Sequence, residues 1–169
     1  MDTLDAIRSR RSIRKYIPGA DVPDADIKEM LTSAMMAPSA CNTRPWEFVV
    51  VKNADVKAKI TELYPYTSML KTATVAIVVC GRPDLQEGVC GGFWPQDCGA
   101  AVENILLSAL ALGYGSCWCG LYPADEERNS ALASLLGVSS VPLACVAVGV
   151  ADEKPNARGY YDAERVKFI

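Results

Sequence analysis

The chain has 169 residues, half of them hydrophobic and 22% charged, with a formal net charge of −3. That balance is globular rather than disordered, and length predicts a single domain over residues 1–169. The acidic balance argues against a general nucleic-acid binder, and no apolar run approaches the roughly 20 residues a bilayer span needs.

From the N-terminus, MDTLDAIRSRRS puts acids ahead of any apolar stretch, which predicts no secretory signal and a cytoplasmic address. Residues Thr3 to Arg10 read as a short helix capped by Asp2 or Thr3. Pro23 opens a second helix, with Asp24 and Asp26 in its first turn and Ile27, Met30, Leu31, Ala34 and Met35 in helical rhythm. Pro38 ends it. Phe48 to Val51 is a strand, Asn53 to Tyr64 a helix, and Val75 to Val79 a second buried strand. A Gly-rich loop from Gly88 to Pro95 leads into the longest helix, which Gly113 stops. That helix is apolar around most of its circumference and is expected in a core or at a subunit interface. Ser116 to Cys119 is a short strand, Ala124 to Leu136 a helix, and Leu143 to Val150 the third strong strand. A charged tail follows from Ala151. Alternating helices and buried strands predict an α/β or α+β sheet covered on both faces.

There is no histidine among the 169 residues. This excludes Ser-His-Asp and Cys-His machinery and any imidazole proton transfer, so the chemistry falls to other side chains or to a cofactor. Seven cysteines, an odd number without an export signal, are expected to be reduced thiols. Cys80 and Cys145 lie in apolar strand-like runs and read as core. Cys117 and Cys119 form a Cys-x-Cys rather than the Cys-x-x-Cys of a redox dithiol. With Cys90 and Cys98 they match no common zinc or iron–sulfur spacing, and no metal site is predicted.

Four segments carry chemistry. Arg8, Arg10, Arg11, Arg14 and Lys15 put five cations into eight residues of an acidic chain, with Ser12 among them. Arginine forks suit phosphate oxygens, although a solvated cationic face has the same pattern. Residues 37–46, Ala-Pro-Ser-Ala-Cys-Asn-Thr-Arg-Pro-Trp, form a turn of small residues in which Asn42 can pair with a planar heterocycle, or simply a helix-to-strand connection. Ser116 to Pro123 ends a strand, where α/β folds seat ligands, and Gly120 admits close backbone approach. Lys154 to Arg158 is a cationic turn. No GxGxxG or Walker pattern occurs in the required context.

Together the pieces RRSIRKY, APSACNTRPWEFVVV, WPQDCGAAVENILLSALALG, WCGLYP and GVADEKPNAR resemble, in order, the nitroreductase superfamily. The resemblance implies an α+β three-layer sandwich, a mixed sheet flanked by helices, in a homodimer with FMN at the subunit interface. Hydride would pass from NAD(P)H through the flavin to a small acceptor such as a nitroaromatic or quinone, with no catalytic side chain. The alternatives are a flavin-binding protein without turnover and a reductive dehalogenase-like relative. By position, Arg10, Arg11, Ser12, Arg14 and Arg158 match phosphate and ribityl contacts. Pro38, Ser39, Ala40 and Asn42 match the segment that the partner subunit contributes, and Cys119 and Gly120 the backbone near the reactive ring nitrogen. Tyr66 and Met69 depart from the polar pair that many relatives carry at the pyrimidine end.

Overall fold

The computed structural model describes residues 1–156 and 158–169. Each helix starts where a local signal places it. Asp2 caps α1 (Thr3–Ser9) by accepting the Asp5 N–H, Asn53 caps α3 (Ala54–Leu63) through Val56, and Asp125 caps α5 (Glu126–Leu136) through Arg128. Acids at the start of α2 (Asp24–Met35) face its positive end, and Pro95 sits in the first turn of α4 (Trp94–Ala111). Gly137 ends α5 in the left-handed conformation.

Four strands, β1 (Trp46–Val51), β2 (Val75–Gly81), β3 (Gly115–Gly120) and β4 (Val141–Gly149), form a sheet in the order β1-β2-β4-β3. All three pairings are antiparallel. The mixed sheet expected above is thus antiparallel throughout its four strands; the one parallel pairing among the described residues is an isolated bridge between Ser12 and Ser116.

Strand alternation sends side chains to two separate cores. Val75, Ile77 and Val79 of β2 join Val146 and Val148 of β4 against Ile27 and Met30 of α2 and Val102 and Ile105 of α4. Ala76, Val78 and Cys80 join Cys145 and Ala147 against Ile60 of α3, Leu132 of α5 and the 3-10 segment Pro65–Lys71. The result is three layers, as expected for the α+β sandwich. A register shift between Val79 and Cys80 lets Leu143 and Ala144 both face the α2–α4 side.

One expectation about the cysteines fails. Cys41 and Cys90 are joined as a disulfide, with Cα atoms 6.2 Å apart. They lie 49 residues apart in sequence, and only the fold brings them together. The other five cysteines are free and buried, including Cys80 and Cys145 in the core.

Gly81 lies flat beneath the Trp94 indole, where any Cβ would overlap the ring. Trp94 anchors the start of α4 on β2, so Gly81→Ala must displace the indole or the strand. The expected cost is about 1–3 kcal/mol of unfolding free energy in urea denaturation.

Candidate flavin site

After α1 the chain crosses the open end of the sheet. The Ile13 N–H donates to the Ser116 carbonyl at 2.9 Å and the Ile17 N–H to the Val150 carbonyl at 2.9 Å. Buried Ile13 and Tyr16 pin the crossing, and the Tyr16 hydroxyl donates to the Ile13 carbonyl at 2.6 Å. The Arg14 and Lys15 N–H groups both donate to the Glu153 carboxylate. Side chains between these anchors are thereby directed to different sides.

The arginine run divides accordingly. Arg10 and Arg11 line a cavity of about 530 Å³ together with Leu110, Tyr114, Glu153 and Lys154. Arg10 pairs with Glu103 at 3.2 Å. The Arg11 Nε is buried and has no hydrogen-bond partner. A buried donor left open in this way costs about 1–3 kcal/mol, and an anion at the cavity would restore it. Arg14 lines a second hollow of about 480 Å³ with Tyr16, Tyr66, Ser68 and Met69. Arg158 is exposed and lines neither; Ala157, inside the cationic turn read from sequence, lies outside the described residues.

The second hollow adjoins the end of β3. Tyr66 donates its hydroxyl to the Gly120 carbonyl at 2.6 Å, and Met69 Sδ lies 3.8 Å from Cys119 Sγ. A Cβ built on Gly120 would meet nothing within 4 Å, so the peptide faces open space. Cys117 and Cys119 point to the same face of β3. The Cys119 thiol hydrogen-bonds Cys117 and, with the Arg14 guanidinium and the Ser12 hydroxyl, brings it down to about 7 against the effect of burial. The same hydrogen bond, together with burial, pushes Cys119 far up.

Pro38, Ser39, Ala40 and Asn42 sit elsewhere. Ala40–Asn42 is a single 3-10 turn in which Cys41 and Asn42 take positive φ of 51° and 53°, and Arg44, two residues beyond it, takes 51°. Three non-glycine residues in that region need support from outside the loop. The Ala40 N–H donates to buried Asp97 at 3.1 Å, and the Gln86 amide donates to the same carboxylate at 2.6 Å. The Ser39 hydroxyl accepts the Arg44 N–H, the Asn42 amide oxygen accepts from Arg44 Nε, and the disulfide ties Cys41 to the turn at Gly88–Cys90. Asp97 is in the first turn of α4, whereas Leu110 at the Arg11 cavity is near its end. At 1.5 Å per residue these points are about 20 Å apart along the helix axis.

A family model described as "Nitroreductase family" matches residues 7–67 and 65–150. The chain belongs to the nitroreductase family. It is 42% identical to a Methanothermobacter thermautotrophicus protein provisionally named NADH dehydrogenase/NAD(P)H nitroreductase, over 98% of this chain and 86% of that protein. A crystal structure of a protein given the same provisional name, from Parabacteroides distasonis, superposes with a TM-score of 0.91 at 32% identity, covering 98% of this chain and 96% of the other. A nitroreductase from Desulfovibrio desulfuricans, also provisionally named and crystallised in complex with FMN, gives a TM-score of 0.84 at 29% identity, covering 98% and 96%.

Sequence reasoning missed Asp97, Gln86 and Glu153, the residues that hold the two nitroreductase segments in place. One signal was available: Asp97 is the acid in the first turn of an otherwise apolar helix. Asp97→Ala leaves the Ala40 N–H and the Gln86 amide without an acceptor. Urea denaturation is expected to show a loss of about 2–4 kcal/mol, and Asp97→Asn a smaller one, because the amide keeps one acceptor.

Proposed function

We propose that the chain is an FMN-dependent oxidoreductase that moves hydride from NAD(P)H through bound flavin to small organic acceptors such as nitroaromatics or quinones. The observation that carries this reading is the unpartnered Arg11 Nε at the wall of the 530 Å³ cavity. Arg10 and Arg11 would hold the dianionic phosphate; Ser12 and Arg158, matched to the same contacts by resemblance, line neither hollow of the single subunit. Arg14 shares its hollow with Tyr66 and Met69 and serves the ring end, where Gly120 leaves the backbone open to a flat heterocycle. Bound FMN supplies the hydride chemistry, which agrees with a chain that has no histidine. The protein's work is to bind, orient and exclude water.

The second half of the reading is a homodimer with the flavin between subunits. Pro38–Asn42 is held about 20 Å along α4 from the Arg11 cavity. Both segments therefore serve one flavin only if the partner subunit supplies one of them. Leu4 and Ile7 of α1 and Met35 and Met36 at the end of α2 are exposed and apolar, a surface suited to a second copy. No helix among the described residues is long and apolar enough to cross a membrane.

The purified protein is expected to be yellow, with one FMN per subunit released on denaturation and bleached by NADH or NADPH. A colourless protein that takes up no FMN overturns the reading. Arg11→Ala removes a charge-assisted contact of about 1.5–3 kcal/mol, so FMN titration should show roughly ten- to a hundredfold weaker binding, with exposed Arg8→Ala as the unchanged control. Gly120→Ala should leave urea stability within ~0.5 kcal/mol yet weaken FMN binding, since its new methyl fills only the space above the peptide.

The subunit arrangement has its own test. Arg11→Ala and Asn42→Ala each impair every site when present alone. In a two-fold dimer with a shared site, a mixture allowed to exchange subunits forms heterodimers with one intact site, restoring about a quarter of the sites. No recovery despite exchange places the whole site within one subunit.

A further inference from the structure

The Cys41–Cys90 disulfide crosses one end of the β1–β2 ladder. Trp46 pairs with Gly81 there, and the Arg82 N–H donates to the Pro45 carbonyl at 2.9 Å. The chain entering β1 and the chain leaving β2 therefore run side by side, and the disulfide joins a turn on one to a turn on the other.

The two turns are held very differently apart from that bond. Buried Gln86 donates to Thr43 Oγ1 at 3.0 Å and to Asp97 at 2.6 Å, and Asp97 accepts the Ala40 N–H. These contacts hold the two ends of the Ala40–Asn42 turn; Cys90 grips its middle, at a residue whose positive φ lasts only while its surroundings impose it. Beyond Gln86 the anchoring stops. Glu87, Gly88 and Val89 are exposed, and the Cys90 and Gly91 N–H groups donate no farther than Glu87 and Gly88. Gly88 and Gly92 flank Cys90 at φ of 59° and 84°, with open space where a side chain would stand. Cys90 can therefore move away without unpacking β2 or α4.

We propose that the Cys41–Cys90 disulfide is a redox switch on the flavin segment. Closed, it fixes the turn that carries Asn42; opened by a dithiol, it frees the turn and FMN is released. The flavin half of this rests on the function proposed above. The step is thiol–disulfide exchange. A thiolate of the reductant attacks the sulfur of Cys41, the exposed partner, and the S–S bond breaks. Buried Cys90 leaves as a thiolate and takes up a proton. The reductant's second thiol gives up its proton and displaces Cys41, which is protonated in turn. The protein gains two electrons and two protons, and the dithiol becomes a disulfide. Linkage adds a reciprocal effect: if opening weakens FMN binding, bound FMN resists opening by the same factor.

The test equilibrates the native protein with oxidised glutathione or with dithiothreitol, then alkylates and counts the free thiols after denaturation. Five of the seven cysteines should be free in the first and all seven in the second. Amide hydrogen exchange over residues 38–44 should be about tenfold faster or more in the reduced protein, with Val75–Gly81 unchanged. Cys41→Ser and Cys90→Ser should exchange like the reduced protein even in oxidised glutathione. FMN should bind the reduced apoprotein about tenfold more weakly, and saturating FMN should raise by the same factor the ratio of reduced to oxidised dithiothreitol that opens half the bonds. Seven free thiols in oxidised glutathione, a bond that opens only on denaturation, or equal exchange in both states overturns the proposal. Hydrogen exchange needs no flavin, so the two readings fail separately. A protein that binds FMN equally in both states removes only the switch; one that never takes up FMN, yet loosens at residues 38–44, removes only the flavin reading.

Discussion

Backbone hydrogen bonds between β2 and β4 lie in a slab closed to water on both faces, because every residue of β2 and nearly every one of β4 is buried. Such bonds persist only if both faces are covered at once, since a buried N–H or C=O left without a partner is costly. The covering helices are therefore bound to one another through the strands. α2 and α4 seal one face, and α3 and α5 the other. The ends of β3 and β4 then present a fixed edge, and the segment from Ser12 to Ile17 docks on it through backbone pairs with Ser116 and Val150.

That docking decides what the arginines can do. An extended segment anchored by Ile13 and Tyr16 cannot direct Arg10, Arg11 and Arg14 at one point. It supplies two positive walls, one beside Tyr114 and one beside Tyr66. An elongated ligand with an anionic end and a flat end fits that division better than a compact anion does.

The turn at Ala40–Asn42 depends on a different constraint. Its left-handed residues are unfavourable in isolation, and Asp97, Gln86 and the Cys41–Cys90 disulfide hold them from neighbouring elements. A loop fixed in this way loses little further conformational freedom when a ligand or a second subunit arrives, which is the physical content of preorganisation.

Local rules made the elements legible. Caps at Asp2, Asn53 and Asp125, the stop at Gly137 and the buried run Val75–Val79 act within a few residues, so the sequence by itself determined the helices, the strands and the layered class. The order of its motifs determined the nitroreductase family. Tertiary structure alone decided that Cys41 meets Cys90, that Asp97 holds Ala40, and that Arg14 parts from Arg10 and Arg11. These contacts join residues up to 57 positions apart or turn on the direction of a side chain in a docked segment. Sequence spacing carries no record of either, because the sheet edge that sets them exists only once β2 and β4 have paired.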